Sequence, residues 1–299
     1  MFPPPALLAA CMEDPMTRRP AFVLWFVLPS ALTAIGLTTA MLTVLQYSVR
    51  AYVPGSLDVG GFTLDNFQDL LKSLYAQAFF NTVTLSFKTA LFGLLLSYPL
   101  AYALVRTRTG WLKSSILIIA ITPLFLGEVV RTYSWIIVLG SSGFLNSLLL
   151  AMGVIDTPLR FMFTQTGVVL ALVHVTMPIM VLMLATGLSH IDPAYEKAAT
   201  SLGAGPIRAF LTVTLPLSLP GIVASLTTAF AWTFSAFATP QLIGGGKVST
   251  IATLVYQLGF SSLNFPFAAA LSVVGLVLTI LLLTALKRMT RSLHPVGGH

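Results

Sequence analysis

Ionisable residues that lie inside apolar stretches are the first candidates for chemistry in this chain. Glu128 and Arg131 are three residues apart in the apolar stretch 114–139, and Trp135 follows four residues after Arg131. At this spacing the three side chains share one face of a helix. A carboxylate near an aromatic ring suits a cationic ligand, since both attract positive charge. The alternative is a Glu–Arg pair that neutralises itself and braces neighbouring helices.

Other polar or amphipathic side chains lie in the same or other apolar stretches. Tyr133 and Trp232 join the three residues above as candidates for the wall of a pathway. Lys88 and His174 are also intramembrane by position, and Glu128 could be a partner for Lys88. Most such residues are packing or interhelix hydrogen-bond positions, so packing is the alternative for each.

The sequence predicts no catalytic site and no metal site. It has no GxxxxGK[ST] phosphate-binding loop, and its four histidines lack metal-ligand spacing. Its one cysteine, Cys11, excludes an intramolecular disulfide and a cysteine metal cluster. We therefore expect no enzyme activity, and no cofactor bound by this chain.

The composition of the chain indicates the kind of protein in which these residues are held. The chain has 299 residues, of which 56% are hydrophobic and 8% charged. Soluble domains have about 25% charged residues, and the mean hydropathy of +0.91 agrees with the difference. The sequence therefore predicts an all-α polytopic membrane protein in contact with the lipid bilayer. The net charge of +7 does not indicate nucleic-acid binding, because the basic residues are scattered between apolar stretches.

Six stretches are long enough to cross a hydrocarbon core, which takes roughly 20 helical residues. We place these transmembrane helices near Ala21–Ser48, Phe79–Val105, Ser114–Leu139, Thr166–Ser189, Leu217–Thr239 and Phe265–Leu286. No internal repeat or discontinuous helix is evident. The predicted layout is a cytoplasmic leader 1–19, a first transmembrane helix 20–50, an outer loop 51–77, a five-helix core 78–288 and a cytoplasmic tail 289–299.

The segments between these helices also carry predictions. In the outer loop 51–77, the run LDNFQDLL favours a short amphipathic helix. The run 143–152 is too short to cross a membrane, so it either lies along the outer interface or dips in and returns. Three glycines at 244–246 predict a flexible turn.

Lysine and arginine predict the orientation, because cytoplasmic loops carry an excess of both. One set of loops holds ten basic residues and the opposite set holds four. The larger set is Arg18, Arg19, Arg106, Arg108, Lys113, Lys197, Arg208, Lys287, Arg288 and Arg291, and the smaller is Arg50, Lys72, Arg160 and Lys247. We therefore expect both termini, and the loop 190–216, in the cytoplasm.

The loop 190–216 predicts two short helices at an angle. Asp192 can cap a helix that Pro193 begins. Gly203 can end that helix in a left-handed conformation, or allow another backbone to approach closely. A second helix is expected from Gly205-Pro206 to about Thr214.

This loop carries a recognisable motif. Ala198-Ala199, then Gly203, then Val213 and Leu215-Pro216 match the spacing of the cytoplasmic "EAA" loop of permeases in ATP-driven importers. The chain resembles the permease subunits of type I ABC importers, and among them the spermidine/putrescine permease group. The runs VRTYSW at 130–135 and ATPQLIGG at 238–245 support that group. One departure is clear, because the family's glutamate aligns with Lys197 and a glutamate stands one place earlier, at 196.

The resemblance implies the fold of those permeases and a division of labour. An ABC ATPase subunit, which binds ATP and Mg, would dock on the coupling loop (residues 190–216). The matching residues of that loop are Glu196, Lys197, Ala198, Ala199, Leu202, Gly203, Val213, Leu215 and Pro216.

The resemblance also implies partners and a location. A second permease subunit, usually a different chain although a homodimer is possible, would complete the pathway in a bacterial inner membrane. A periplasmic solute-binding protein would deliver a small solute. A polyamine-like solute is expected first, with ferric iron, thiamine, phosphonate and opine-like solutes as alternatives. An ATP-independent secondary transporter is the more remote alternative.

Overall fold

The computed structural model describes residues 25, 27–56 and 58–292, and this part of the chain is predominantly helical. Its helices are α1 (Leu28–Ser48), α2 (Asp65–Asp69), α3 (Ser73–Arg106), α4 (Gly110–Ile121), α5 (Glu128–Leu139), α6 (Phe144–Ala151), α7 (Gln165–Ser189), α8 (Pro193–Ser201), α9 (Pro206–Leu217), α10 (Leu219–Ser235), α11 (Ala238–Gly244), α12 (Ile251–Tyr256) and α13 (Phe265–Ser292). Its strands are β1 (Arg50–Tyr52) and β2 (Val59–Phe62).

Five or six stretches could cross a membrane, against six predicted, and the third and fifth have other bounds than predicted. Five helical stretches are long and apolar enough to cross, namely α1, α3, Glu128–Ala151, α7 and the apolar part of α13. A sixth arises if α9 and α10, which meet at a 65° bend, are taken as one broken span. The helical fold class is thus confirmed, with one small strand pair in addition.

The core is formed by α3, α7 and α10, which pack against one another. Small residues let these helices approach closely, as is common in membranes. A Cβ on Gly187 of α7 would lie 3.1 Å from the Cα of Gly221 in α10. A Cβ on Gly93 of α3 would lie 2.7 Å from the Met180 sulfur. Bulkier residues at these crossings would push the helices apart.

The predicted third helix over 114–139 is wrong, because that span is broken. After α4 the chain forms a 3₁₀ turn, Thr122–Phe125, and becomes extended at Leu126. A new helix, α5, begins only at Glu128. Pro123 lies in the turn, where its missing N–H weakens a continuing helix. The expectation that no helix is discontinuous is therefore also wrong.

The two halves of this broken span pack on different parts of α7. Ala120 of α4 belongs to a buried cluster with Leu184 and Leu188, near the end of α7. Leu139 of α5 belongs to a second buried cluster with Val168, near the start of α7. The two halves therefore follow α7 in succession, and together they cover its length.

The predicted fifth helix also ends earlier than expected. Helix α10 stops at Ser235, not Thr239, because Ala236 is extended and a separate helix, α11, follows. The glycine turn after α11 is confirmed, since Gly245 and Gly246 have φ of 54° and 79°.

The outer loop is more ordered than expected. Its amphipathic helix is confirmed as α2, and β1 and β2 form an antiparallel ribbon that sequence did not predict. Asn66 donates two hydrogen bonds, to the Ser48 carbonyl at 3.0 Å and to the Arg50 carbonyl at 2.8 Å. These bonds tie α2 to the end of α1. The run 143–152 forms the short helix α6.

Helix α1 packs on α13 and is otherwise exposed. Its threonine hydroxyls donate to carbonyls of the same helix, for example Thr38 to Ala34 and Thr39 to Ile35, both at 2.8 Å. The predicted leader, 1–19, lies outside the described residues. Of the predicted tail 289–299, helix α13 reaches Ser292 and the rest lies outside them.

Candidate functional site

The coupling loop forms the two predicted helices. The Asp192 carboxylate caps α8 by accepting a hydrogen bond of 2.8 Å from the Ala194 amide. Gly203, directly beyond the end of α8, has a φ of +88°, which confirms the left-handed conformation expected there. Helix α9 begins at Pro206 and is π-helical over Phe210–Thr214. The bend of 65° then joins it to α10.

The outer surface of the coupling loop is apolar and basic. Leu202 is 89% exposed and Ile207 is 75% exposed, while Lys197 and Arg208 are exposed charges. The other predicted loop residues divide between exposed and half-buried positions. Ala198, Gly203 and Pro216 are exposed, and Ala199, Val213 and Leu215 are half-buried.

Glu196 differs from its neighbour Lys197, because its carboxylate contacts the rest of the protein. Its Oε1 accepts from Arg106 Nη2 at 2.9 Å and from Thr214 Oγ1 at 2.6 Å. Its Oε2 accepts from the Tyr102 hydroxyl at 3.4 Å. Arg106 and Tyr102 lie at the end of α3, and Thr214 lies in α9. Sequence reasoning missed these three partners because they are 18 to 94 residues away in the chain.

The Glu128–Arg131 ion pair, which is the alternative to a pathway role, does not form. Among the described residues, ion pairs join Lys72 to Asp69 and Arg106 to Glu196. Arg131 is 7% exposed, and its Nη1 donates to the Pro123 carbonyl at 2.8 Å. That bond links α5 back to the 3₁₀ turn across the break. Glu128, at the first position of α5, is exposed and its carboxylate has no hydrogen-bond or ion-pair partner within the described part of the chain.

Trp135 lies inward and supports α5 against α7. Its indole N–H donates to His174 Nδ1 at 3.1 Å, and the ring centroids are 5.4 Å apart. By contrast, Tyr133 is 55% exposed and Trp232 is 47% exposed. Of the five pathway candidates, Glu128, Tyr133 and Trp232 are therefore exposed, whereas Arg131 and Trp135 make internal contacts.

Lys88 does not pair with Glu128. Its Nζ donates to Gln165 Oε1 at 2.8 Å, where α3 meets the start of α7. Both residues line a cavity of about 450 Å³ whose other walls are mostly apolar. A neutral amide partner gives no charge signal in the sequence, so this contact could not be anticipated.

No cluster of three or more histidine, cysteine, aspartate or glutamate side chains that could hold a metal occurs among the described residues. The coupling loop and the five pathway candidates therefore offer single carboxylates, cations and aromatic rings.

Known relatives match most of the chain. It is 32% identical over 233 residues to the spermidine/putrescine transport system permease protein PotB of Escherichia coli strain K12, covering 78% of this chain and 84% of that protein. It is 30% identical to the PotB of Haemophilus influenzae over 232 residues, or 78% of this chain and 81% of the relative.

Solved structures show the same fold at lower identity. A permease chain of a bacterial ABC transporter that imports the acidic polysaccharide alginate superposes with a TM-score of 0.73 at 18% identity, covering 97% of this chain and 100% of that one. A chain of the MetNI methionine ABC transporter superposes with a TM-score of 0.58 at 19% identity, covering 74% of this chain and 96% of that one. The profile of the family described as "Binding-protein-dependent transport system inner membrane component" matches residues 90–295. The chain belongs to that family, as a permease subunit of an ABC importer with the type I fold.

Proposed function

We propose that this permease forms half of the pathway for a cationic solute of the polyamine class. The observation that carries the proposal is the unpaired Glu128 carboxylate at the break in the third span. A carboxylate at membrane depth with no hydrogen-bond or contact ion-pair partner is costly, so it is expected to have a functional partner. The similarity to the PotB proteins, whose names specify spermidine and putrescine, supports a polyamine as that partner.

The surroundings of Glu128 fit a cation. Because Arg131 is turned to the Pro123 carbonyl, its charge does not form a contact pair with the carboxylate. Tyr133 on α5 and Trp232 on α10 are exposed aromatic residues that could contribute cation–π contacts in an assembled pathway. We assign these three residues to the pathway wall, and Arg131 and Trp135 to its support.

We further propose that an ABC ATPase docks on the coupling loop and binds ATP and Mg. The exposed apolar side chains Leu202 and Ile207 suit a helix-in-groove interaction. Ala198 and Gly203 allow close approach of a partner backbone. Lys197 and Arg208 are exposed basic residues of this surface, near the exposed Asp192 that caps α8, so the matching cleft should carry carboxylates opposite the two cations.

A second permease subunit would complete the pathway. Helix α1 is almost entirely exposed, and so is Glu128. Both observations are expected if a second subunit is missing from the structure. We propose a different chain as the partner, with a homodimer as the alternative. A solute-binding protein would deliver the solute from the periplasm. The excess of basic residues in alternate loops supports an inner-membrane orientation with both termini in the cytoplasm.

The broken third span favours one competing hypothesis, an ATP-independent secondary transporter. Discontinuous helices at the substrate site are typical of that class. The coupling loop would then have no partner. The family assignment makes the ATP-driven importer the better supported function.

The test is purification of this chain with candidate ABC ATPase and second permease subunits from the same genome. ATP hydrolysis is measured with binding protein loaded with spermidine, putrescine, ferric iron, thiamine, a phosphonate or an opine. We expect stimulation by a polyamine. Stimulation by another solute alone would overturn the polyamine assignment, and transport by this chain without an ATPase would overturn the importer mechanism.

A further inference from the structure

We propose that Glu196 is an internal clamp, which transmits movement of α8 to α3, and that it does not contact the ATPase. This inference rests on the proposed docking of the ATPase at the coupling loop. The carboxylate accepts three hydrogen bonds, from Arg106, Thr214 and Tyr102, at 2.9, 2.6 and 3.4 Å. It therefore joins α8 to both α3 and α9.

The Glu196 carboxylate is a main attachment of α8 to the rest of the protein. None of the residues of α8, Pro193–Ser201, is buried, so the helix itself adds no buried side chain to the apolar core. The Glu196 and Arg106 side chains are instead 21% and 15% exposed, which shields their ion pair from most of the solvent. Arg106 also donates to the Ile191 carbonyl at 3.2 Å, just before α8 begins. One cation thus holds both the entry to α8 and its first turn.

The position of Glu196 on α8 separates clamping from docking. Successive residues of a helix point about 100° apart. Glu196 contacts α3 and α9, whereas Lys197, one residue later, is exposed. Lys197 is also the residue that aligns with the glutamate of the related loops. The carboxylate at 196 is therefore already used inside the protein, and the charge offered to a partner at the next position is positive.

The helix that the clamp holds, α3, also contacts α9 and the bend between α9 and α10. Tyr98 and Tyr102 of α3 both contact the Phe210 ring edge-to-face, with centroids 5.8 and 5.6 Å away. The Tyr98 hydroxyl is 2.8 Å from Ser218 Oγ, at the bend between α9 and α10. A displacement of α8 that pulls on Glu196 would therefore move α3 and the bend together. Without the clamp, α8 could shift on its own.

The experiment follows the motion directly, so that it does not depend on knowing the solute. Spin labels are attached through Arg108→Cys, just after α3, and Ser189→Cys, at the end of α7, in a Cys11→Ser background. The change in their distance on ATP binding is measured in the complete transporter, together with retention of the ATPase on purification. Glu196→Gln should retain the ATPase but reduce the distance change to less than about half.

Two further comparisons distinguish a clamp from general damage. The double exchange Glu196→Arg with Arg106→Glu should recover part of the distance change, because it rebuilds the ion pair with reversed signs but not the bond from residue 106 to the Ile191 carbonyl. Thr214→Val, which removes one donor, should give a smaller loss. Thr212→Val is its matched control, because the Thr212 hydroxyl bonds within its own helix, to the Arg208 carbonyl at 2.7 Å.

The outcomes separate this inference from the proposed function. If the wild-type chain does not retain the ATPase, the docking proposal fails, and the clamp loses its premise. If the wild type retains it and Glu196→Gln loses it, Glu196 is a docking contact and the clamp is wrong. A full distance change in Glu196→Gln would also overturn the clamp. Should Glu196→Gln not fold, an unaltered Thr214→Val would do the same.

Discussion

At the scale of single residues, the main finding is which charges are paired and which are not. Arg131 and Glu196 are both committed to internal contacts, with the Pro123 carbonyl and with Arg106 respectively. Glu128 and Lys197 are exposed, and they are the charges that we propose for contact with a solute and with a partner protein. Adjacent or nearby residues in the sequence therefore have opposite roles, which depend on the direction in which each side chain points.

Glu128→Gln should lower uptake of spermidine by about tenfold or more, equivalent to at least about 1.4 kcal/mol. The amide keeps the size of the side chain but removes the charge that attracts a cation. Uptake of radiolabelled spermidine by cells that express equal amounts of membrane-inserted protein measures the effect. Asp156→Asn is the matched control, since Asp156 is an exposed carboxylate in the loop before α7. Equal uptake by the two variants would exclude Glu128 from the pathway.

Lys197→Glu should weaken retention of the ATPase, because it reverses the charge at the exposed position of α8. A compensating exchange of a carboxylate for lysine in the cleft of the ATPase should restore it. Retention is measured by co-purification at several salt concentrations. Lys72→Glu, outside the coupling loop, controls for a general effect of charge. Unchanged retention in Lys197→Glu would place the docking surface elsewhere.

At the scale of elements, two local geometries control the orientation of the helices. Gly203 ends α8 with a backbone conformation that residues other than glycine adopt at a cost, about 1–2 kcal/mol. Gly187 and Gly221 set the closest approach of α7 and α10, the helices on either side of the coupling loop. Both geometries lie in or next to the coupling loop, where the proposed movement would pass to the membrane helices.

Gly203→Val should abolish most uptake, because a β-branched side chain is strongly disfavoured at this positive φ. Gly203→Asn should retain more activity, since asparagine tolerates the left-handed region. No atom lies within 4 Å of a Cβ built at Gly203, so the two variants differ in backbone strain and not in crowding. Solute uptake and ATPase retention are measured. Equal loss in both would indicate that the docking surface itself requires glycine.

Gly187→Leu should destabilise the chain by about 1–3 kcal/mol, the range for overpacked interiors. Its side chain would meet the backbone of α10 at Gly221. The midpoint of thermal unfolding in detergent, followed by size-exclusion fluorescence, should fall by several degrees. Gly36→Leu is the control, because a Cβ there meets no atom within 4 Å. Similar midpoints would mean that the helices can separate at little cost.

The helix boundaries that could be predicted are those set by residues close to them in the sequence. Asp192, Pro193 and Gly203 indicate where α8 begins and ends, and the structure confirms this. The break before α5 was missed because proline and glycine are common within membrane helices. What stabilises the break is the bond from Arg131 to Pro123, which depends on the fold of the turn.

The partners of Glu196 were beyond the reach of sequence patterns for a related reason. Arg106 lies 90 residues away in the chain, and it meets Glu196 only because α3 and α7 end side by side. Periodicity and capping rules describe neighbours in sequence, so they cannot identify such pairs. Composition and span length, in contrast, were enough to predict the helical membrane fold.

At the scale of the whole molecule, the described helices expose large apolar side chains, and the described connecting segments expose both apolar and charged ones. The proposed orientation places the basic surface of the coupling loop and the ATPase on the same side of the membrane. The β1–β2 ribbon and α2 then face the periplasm.

This orientation is tested with single cysteines in a Cys11→Ser background. A membrane-impermeant maleimide applied to spheroplasts should label Asp58→Cys in the outer loop but not Ser201→Cys in the coupling loop. Both positions are exposed, so the difference reports on membrane side and not on burial. Permeabilised cells, in which both should react, are the control. Labelling of Ser201→Cys in intact spheroplasts would contradict ATPase docking on this loop.

The threonines of α1 determine how strongly that helix can hold a neighbour. Their hydroxyls already donate to carbonyls within the same helix, for example Thr38 to Ala34 and Thr43 to Thr39. Such hydroxyls have little to offer across an interface, where hydrogen bonds would otherwise fix one register. Contacts made through these threonines therefore rest mainly on shape and dispersion forces. At these positions the helix face can adjust against a neighbour in small steps, because no threonine hydrogen bond between helices must break first.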